Sequence, residues 1–272
     1  MTKSLNIVVC MKQVPDPEAP PSAFLFDSQN MSVSAHGVPP VISPYDENAL
    51  ELAIRLKEKA GGNITILSAG KNLSRAVMFK AAASGADDIL LVDDPALERN
   101  VANGSTMAKI IAATIQKRGP FDLVMTGRQA SDTNAGIVGI GVAHYLGIPC
   151  ITLACHAQAE EDDITVERAL PSGYEVLKTA MPALLTSSHE VGALRYPTLI
   201  SVRASKNKPV TVMTLADLGL DGEKACPLTM RRLEVPDRER SIVMISGKDS
   251  RDAGAKLAIQ LRQDLSPMMD QG

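Results

Sequence analysis

Rings are scarce in this 272-residue chain: tryptophan is absent, and phenylalanine and tyrosine number four each. So few aromatic side chains leave little to stack on bases or flavins. Any bound nucleotide must then be held mainly by backbone amides and small polar groups. Charge of one sign is lacking too. A formal net charge of −3 supplies no basic field for a phosphodiester backbone and argues against nucleic acid as a partner. The four cysteines, Cys10, Cys150, Cys155 and Cys226, form no C-x-x-C pair, and Cys10 and Cys150 lie in or beside apolar runs where a buried thiol is the usual state. His36, His144, His156 and His189 are scattered, which excludes a zinc-ligand spacing. No run approaches the roughly 18 apolar residues of a membrane helix. The apolar stretch Leu5 to Met11 is too short for a signal segment and has no small-residue cleavage site after it, so the expected location is the cytoplasm. No G-x-S-x-G elbow, HEXXH or Walker A motif occurs, and no catalytic residue is assigned. The acidic run Glu160 to Asp163 reads as a solvated turn.

What is present is an alternation. Leu5–Cys10, Ile64–Ala69, Asp88–Val92 and Leu123–Thr126 are short, unbroken and rich in Ile, Val and Leu, as strands buried on both faces are. Between them run helical periods: Ala49, Leu52, Ala53 and Leu56 within Pro44 to Ala60; Met107, Ile110, Ile111 and Thr114 after Asn103-Gly104; and Ile137 to Leu146, ended by Gly147 and Pro149. This order predicts an α/β fold with a doubly wound, mainly parallel, Rossmann-like sheet. Phe24–Asp27 and Met31–Ser34, around Ser28-Gln-Asn30, predict an inserted β-hairpin on the sheet's carboxyl edge. Extended segments follow Pro149: Cys150–His156, Thr165–Ala169, Glu175–Thr179 and Ala183–Ser187. From about Ala225 the rhythm ends. Pro227, the basic Met230-Arg-Arg232 and Val235-Pro236 lead to a helix near Asp249–Leu265, with Ala253, Leu257, Leu261 and Leu265 as an apolar stripe. The expected division is 1–224, an α/β nucleotide-binding domain, and 225–272, an arm and helix that fold back on that domain or clasp a partner.

Three segments would converge on the carboxyl edge of such a sheet. The first is Thr126 to Gly139, which follows a strand and opens a helix, where amides and the helix dipole favour an anion. Asp132, Thr133 and Asn134 are placed to cap that helix, and Ala135, Gly136 and Gly139 leave room for a phosphate. Its glycines read G-x-x-G-x-G, not the dinucleotide fingerprint, and an ordinary capped helix accounts for the same residues equally well. The second is Ser43-Pro-Tyr-Asp-Glu47, with Ser43 as N-cap, Pro44 at the first helical position and Asp46 completing a capping-box-like pair. The third is the strand end and turn Ser68-Ala-Gly70.

Several separated motifs also resemble one family. Val8-Val-Cys-Met-Lys-Gln-Val-Pro-Asp16 is similar to the first strand and V-K-x-V-P-D turn of electron transfer flavoprotein β subunits. Gly37-Val-Pro, then Ser43-Pro-Tyr-Asp-Glu-Asn-Ala-Leu-Glu51, resembles their N-P-[FY]-[DC]-E segment. Gly127-Arg-Gln-Ala-x-Asp132, with Val138-Gly139 and Leu146-Gly-x-Pro149, resembles their nucleotide signature. Arg195-Tyr-Pro-Thr-Leu199, before the basic segment Arg203 to Lys208, resembles their R-Y-A-T-L stretch. The resemblance covers almost the whole chain.

It implies an electron carrier subunit, not an enzyme by itself, in a heterodimer whose α subunit carries the redox FAD. The β subunit would bind AMP, or a second FAD in bifurcating members. The tail would pack on the partner subunit. The adenine-nucleotide pocket would draw on Cys10; Ser43, Pro44, Tyr45 and Asp46; Ala69 and Gly70; Gly127, Arg128, Gln129, Ala130, Ser131, Asp132, Thr133, Asn134, Gly136, Ile137, Val138 and Gly139. Ser43 stands where the family usually has Asn, and Ile137 where Gln is frequent; each change removes an amide, while backbone contacts would survive it. The family docks to acyl-CoA dehydrogenases, as in fatty acid oxidation, through a loop that falls here on His189 to Leu194, with Val191 at the anchor position and Leu194 beside it. The alternatives are a stand-alone ATP- or AMP-binding module of the same fold, which would need neither the Arg195–Leu199 motif nor the tail, and an NADH-oxidising bifurcating subunit, which would need a flavin in this chain.

Overall fold

A computed structural model describes residues 4–29, 31–97, 103–220, 231–235 and 242–269. The chain divides into two compact units, Met1–Leu233 and Glu234–Gly272. The boundary expected after residue 224 lies outside the described residues, as do Cys226, Pro227, Met230 and Pro236.

The first unit is built on a nine-stranded sheet. Its strands are β1 (Leu5–Cys10), β6 (Gly62–Gly70), β7 (Asp88–Asp93), β8 (Leu123–Gly127), β9 (Cys150–Glu160), β10 (Asp163–Leu170), β11 (Gly173–Ala180), β12 (Ala183–Ser187) and β13 (Val210–Met213). They lie in the order β11-β10-β9-β12-β8-β1-β6-β7-β13. From β9 to β13 all neighbours are parallel, and β10 and β11 extend the sheet as antiparallel strands. This is the doubly wound α/β fold the alternation predicts.

Helices cover both faces of the central strands, which is why those strands are rich in buried Ile, Val and Leu. On β1, Leu5, Ile7 and Val9 pack with Leu50, Leu52 and Leu56 of α1 (Pro44–Ala60) and Met78 of α2 (Arg75–Ala82). The alternate residues Val8 and Cys10 pack on the other side with Ile111 and Ile115 of α3 (Gly104–Arg118) and Val142 of α4 (Val138–Leu146). The chain winds from β1 outward to β6 and β7, then crosses back through α3 to β8 on the opposite side of β1. The β1–β8 pair is therefore the topological switch point, where α/β sheets open a crevice beyond their carboxyl ends.

The insertion after β1 has two tiers. β2 (Gln13–Pro15) pairs antiparallel with β5 (Pro40–Ile42), and β3 (Phe24–Asp27) pairs with β4 (Ser32–Ala35) as the predicted hairpin. A short helix α5 (Leu199–Ser205) precedes edge strand β13.

In the second unit the predicted tail helix forms as α6 (Ser250–Met269). Asp249 Oδ1 accepts the Asp252 amide at 2.8 Å, and Asp252 Oδ2 reaches back to the Lys248 amide at 2.9 Å, so both side chains serve its first turn. Leu257, Ile259, Leu261 and Leu265 on this helix are exposed. Among the described residues no helix is long and apolar enough to cross a membrane.

Candidate functional site

A cleft of about 340 Å³ opens at the switch point. Its floor is the carboxyl end of the sheet: Cys10 and Lys12 from β1 and the turn beyond it, Ala69 from β6, Thr126 and Gly127 from β8. Two helices begin at its rim. Asn103 caps α3, its side-chain oxygen accepting the Thr106 amide at 2.9 Å. Ile137, by contrast, gives α4 no side-chain cap, so the first amides of α4 are left for an external acceptor.

Asp46 is the polar centre of the floor. The spacing Ser43-Pro-Tyr-Asp predicts a capping pair, but neither side chain caps α1. Asp46 is buried, and its carboxylate turns away from its own helix. One oxygen accepts the Lys12 amide at 2.7 Å and the other the Gly127 amide at 3.0 Å, tying together the ends of β1 and β8. Burial pushes Asp46 up to about 7, against the pull of those two amides. Burial, followed by the nearby Asp46 charge, drives the Cys10 thiol far above its ordinary range, so this cysteine is an apolar floor residue and not a nucleophile. Ser43 is fully buried and its hydroxyl accepts the Ser131 amide at 3.3 Å.

The segment between β8 and α4 is not a capped helix start. The helix begins at Val138, six residues after Asp132, and residues 128–137 form a strap along the cleft. Asp132 is spent instead on the Lys12 ammonium at 2.8 Å. Asn134 and Gly136 both adopt positive φ, 51° and 66°. Only Gly136 of the expected glycines lies beside free space. A Cβ on Gly139 would come within 2.5 Å of Thr126 Oγ1, and one on Gly127 within 2.6 Å of Asp46 Oδ1. These two glycines serve the packing of α4 and α1 on β8 while also lining the cleft.

Arg128 carries an unspent donor. Its guanidinium lies 4.9 Å from the centre of the Tyr45 ring, and its Nε is buried with no hydrogen-bond partner among the described residues. The guanidinium, and the Gln129 amide with it, hold the Tyr45 hydroxyl below the usual phenol range.

Of the predicted residues, Cys10, Asp46, Ala69, Gly127, Arg128, Gln129, Ala130, Thr133, Gly136, Ile137, Val138 and Gly139 line the cleft. Ser43 and Asp132 brace its walls. Pro44, Tyr45, Ser131 and Asn134 face a neighbouring hollow of about 510 Å³, and Gly70 lines neither. The cleft also uses Met11, Lys12, Asn103, Gly104 and Met107, which the three segments do not include. Asn103-Gly104 was visible as a helix start, but only the strand order brings it to this edge. At the expected anchor, Val191 is 3% exposed and packs in the core, while Leu194 is half-buried and borders two surface hollows. Next to them Tyr196, Leu199 and Ile200 are exposed, on a segment held by Arg195 Nη2 and Nε, each 3.0 Å from a carboxylate oxygen of buried Glu51.

Comparison with known proteins follows the same lines. The family described as electron transfer flavoprotein domain matches residues 30–218. Among curated proteins, the electron transfer flavoprotein subunit beta of Thermoanaerobacterium thermosaccharolyticum is 36% identical over 248 residues, covering 89% of this chain and 93% of that one. The subunit beta of Clostridium acetobutylicum is 31% identical, covering 96% and 99%. The caffeyl-CoA reductase-Etf complex subunit CarD of Acetobacterium woodii is 30% identical, covering 95% and 98%.

Proposed function

The chain belongs to the electron transfer flavoprotein family, as a β subunit, and from that premise we propose that its switch-point cleft holds the adenylate part of a nucleotide, AMP or a second FAD. The observation that carries this reading is the pairing of an uncapped helix start at Val138 with the cationic Arg128 among the residues lining the same cleft. Both are donors, and both gain from an anionic phosphate. Thr126, Thr133 and strand-end backbone are suited to the sugar and base, and among the described residues no aromatic ring lines the cleft, which suits a nucleotide held by backbone groups. A cleft of about 340 Å³ suits one adenylate better than a complete dinucleotide, which favours AMP.

In this role the chain is an electron transfer subunit and catalyses nothing by itself. It pairs with an α subunit that carries the redox FAD, and the exposed leucines of α6 are suited to that interface. The complex passes electrons between a dehydrogenase or reductase acting on acyl-CoA thioesters and a further acceptor. Likeness to a subunit of a caffeyl-CoA reductase complex supports a thioester-linked partner. Docking uses the exposed Tyr196, Leu199 and Ile200 beside the inward-packed Val191 and the half-buried Leu194.

The test is to purify the chain with its α partner and count flavin and AMP per heterodimer. One FAD with one AMP is the expected result. Two FAD, one of them on this chain, would replace AMP by a flavin in the same cleft. A chain stable without any α partner that binds only ATP would overturn the assignment.

A further inference from the structure

Space lies on both sides of the strap formed by residues 128–137. Its inner side lines the cleft of about 340 Å³. Its outer side, at Ser131, Asp132 and Thr133, borders a second cavity of about 470 Å³ beneath Phe24, Met31 and Val33 of the inserted hairpin region. A segment backed by open space and not by packed side chains can move outward without dismantling a core. The strap also holds its own shape. The Asn134 amide donates to the Ala130 carbonyl at 2.8 Å, and Gln129 Nε2 donates to Asn134 Oδ1 at 2.9 Å. Gly136, with φ of 66°, then joins this closed turn to α4.

The fastening of this turn to the opposite wall is uneven. The Ser131 amide meets Ser43 Oγ at 3.3 Å, a long bond, whereas Lys12 Nζ meets Asp132 Oδ1 at 2.8 Å. The lysine is itself anchored, because its amide is held by Asp46 at 2.7 Å. At this shorter contact Lys12 ties the strap to the fixed floor, alongside the Ser131–Ser43 bond and the Arg128–Tyr45 contact at the strap's root. The Asp132 side chain is 7% exposed and that of Lys12 41%, so the pair sits at the mouth, open to solvent from the lysine side.

We propose that Lys12–Asp132 is a latch that closes the strap over the bound nucleotide and sets the rate at which that nucleotide leaves. The latch rests on the adenine-nucleotide reading of the cleft. It differs from a simpler role for Lys12, direct binding of a phosphate, in the sign of one experiment. If Lys12 only bound phosphate, Asp132 would compete for it, and removing the Asp132 charge would tighten binding. If the pair is a latch, removing either charge loosens it.

The full-length chain, purified with its α subunit, is loaded with radiolabelled AMP and diluted into excess unlabelled AMP. Lys12→Met and Asp132→Asn are each expected to release AMP about fivefold faster, the scale of a partly exposed ion pair, and Lys12→Arg to stay within about twofold of wild type. Added salt should speed release more from wild type than from the two loosened variants, which keep only the phosphate's own salt-sensitive contacts. In the nucleotide-free protein, amide exchange at residues 129–136 should quicken in both variants. Slower release from Asp132→Asn, or unchanged release from both, overturns the latch. If the purified complex carries FAD in this cleft, flavin fluorescence reads the same release with the same criteria. Wild-type protein that binds neither AMP nor FAD overturns the nucleotide reading itself, and the latch with it.

Discussion

Two short polar segments flank the cleft, Ser43–Asp46 at the start of α1 and Ser131–Asn134 ahead of α4, and in the sequence they look alike. Each places a serine, an aspartate and a small turn before an apolar helix. In the structure they are opposites. Asp46 is buried and ties two strand ends through their backbone amides, and Ser43 beside it is fully buried. Asp132 reaches a half-exposed lysine, on a strap bordered by two cavities. The difference lies in what each carboxylate binds. A backbone amide of a core strand cannot move away, whereas a lysine side chain can. One segment thus forms a fixed floor and the other a movable wall.

The contrast is broken most severely by removing the floor's carboxylate. Asp46→Ala leaves two strand-end amides without an acceptor, and a cost of about 4–5 kcal/mol is expected in denaturant unfolding. The pH dependence comes next. The Asp46 pKa is raised on folding, from an ordinary 3.8 to about 7. The folded state therefore binds the proton more tightly than the unfolded chain. The associated stability is complete below pH 4 and is lost as pH rises through 7. The loss is up to about 4 kcal/mol, at about 1.4 kcal/mol per unit. Asp46→Asn should flatten that part of a stability–pH curve; a curve of unchanged slope would show that Asp46 is ionised throughout. Gly139→Ala acts where the wall meets the sheet. Its Cβ would crowd Thr126 Oγ1 and Thr186 Cγ2, and a loss of about 1–3 kcal/mol in thermal unfolding is expected, with weaker AMP binding in calorimetry. The smallest effect should come from Lys12→Met, below about 1 kcal/mol in stability. If Lys12→Met proved as destabilising as Asp46→Ala, the distinction between floor and wall would fail.

The sheet was legible because its strands are buried on both faces. Leu5–Cys10 and Leu123–Gly127 read as short runs rich in Ile, Val and Leu because helices lie on either side of them. Elements with weaker signals were missed. In α2, residues Ala76 to Phe79 are apolar in one block and show no helical period, and β13 is a four-residue edge strand just after a basic run. The site was legible where it is continuous in sequence, from Gly127 to Gly139. It was not legible where it depends on strand order: Asn103, Gly104 and Met107 reach the cleft only because α3 crosses back beneath the switch point. The capping pattern at Ser43–Asp46 misled for a physical reason. The spacing that suits a helix cap also suits a carboxylate that bridges neighbouring strand ends, and local sequence does not distinguish them.

The meeting of α3 with α4 carries a consequence for descent. A Cβ at Gly104 would lie 2.4 Å from Ile137 Cδ1, and one at Gly141 would lie 2.7 Å from the Ala108 Cβ. Each position on one helix has a size allowance set by a single residue on the other. At Gly104 the crowding atom is the far end of the half-exposed Ile137 side chain, which can swing aside, whereas the Ala108 Cβ facing Gly141 is fixed to its backbone. Lineages in which position 141 has acquired a side chain should therefore carry glycine at position 108 or a shifted α4, the two positions being inherited as one unit.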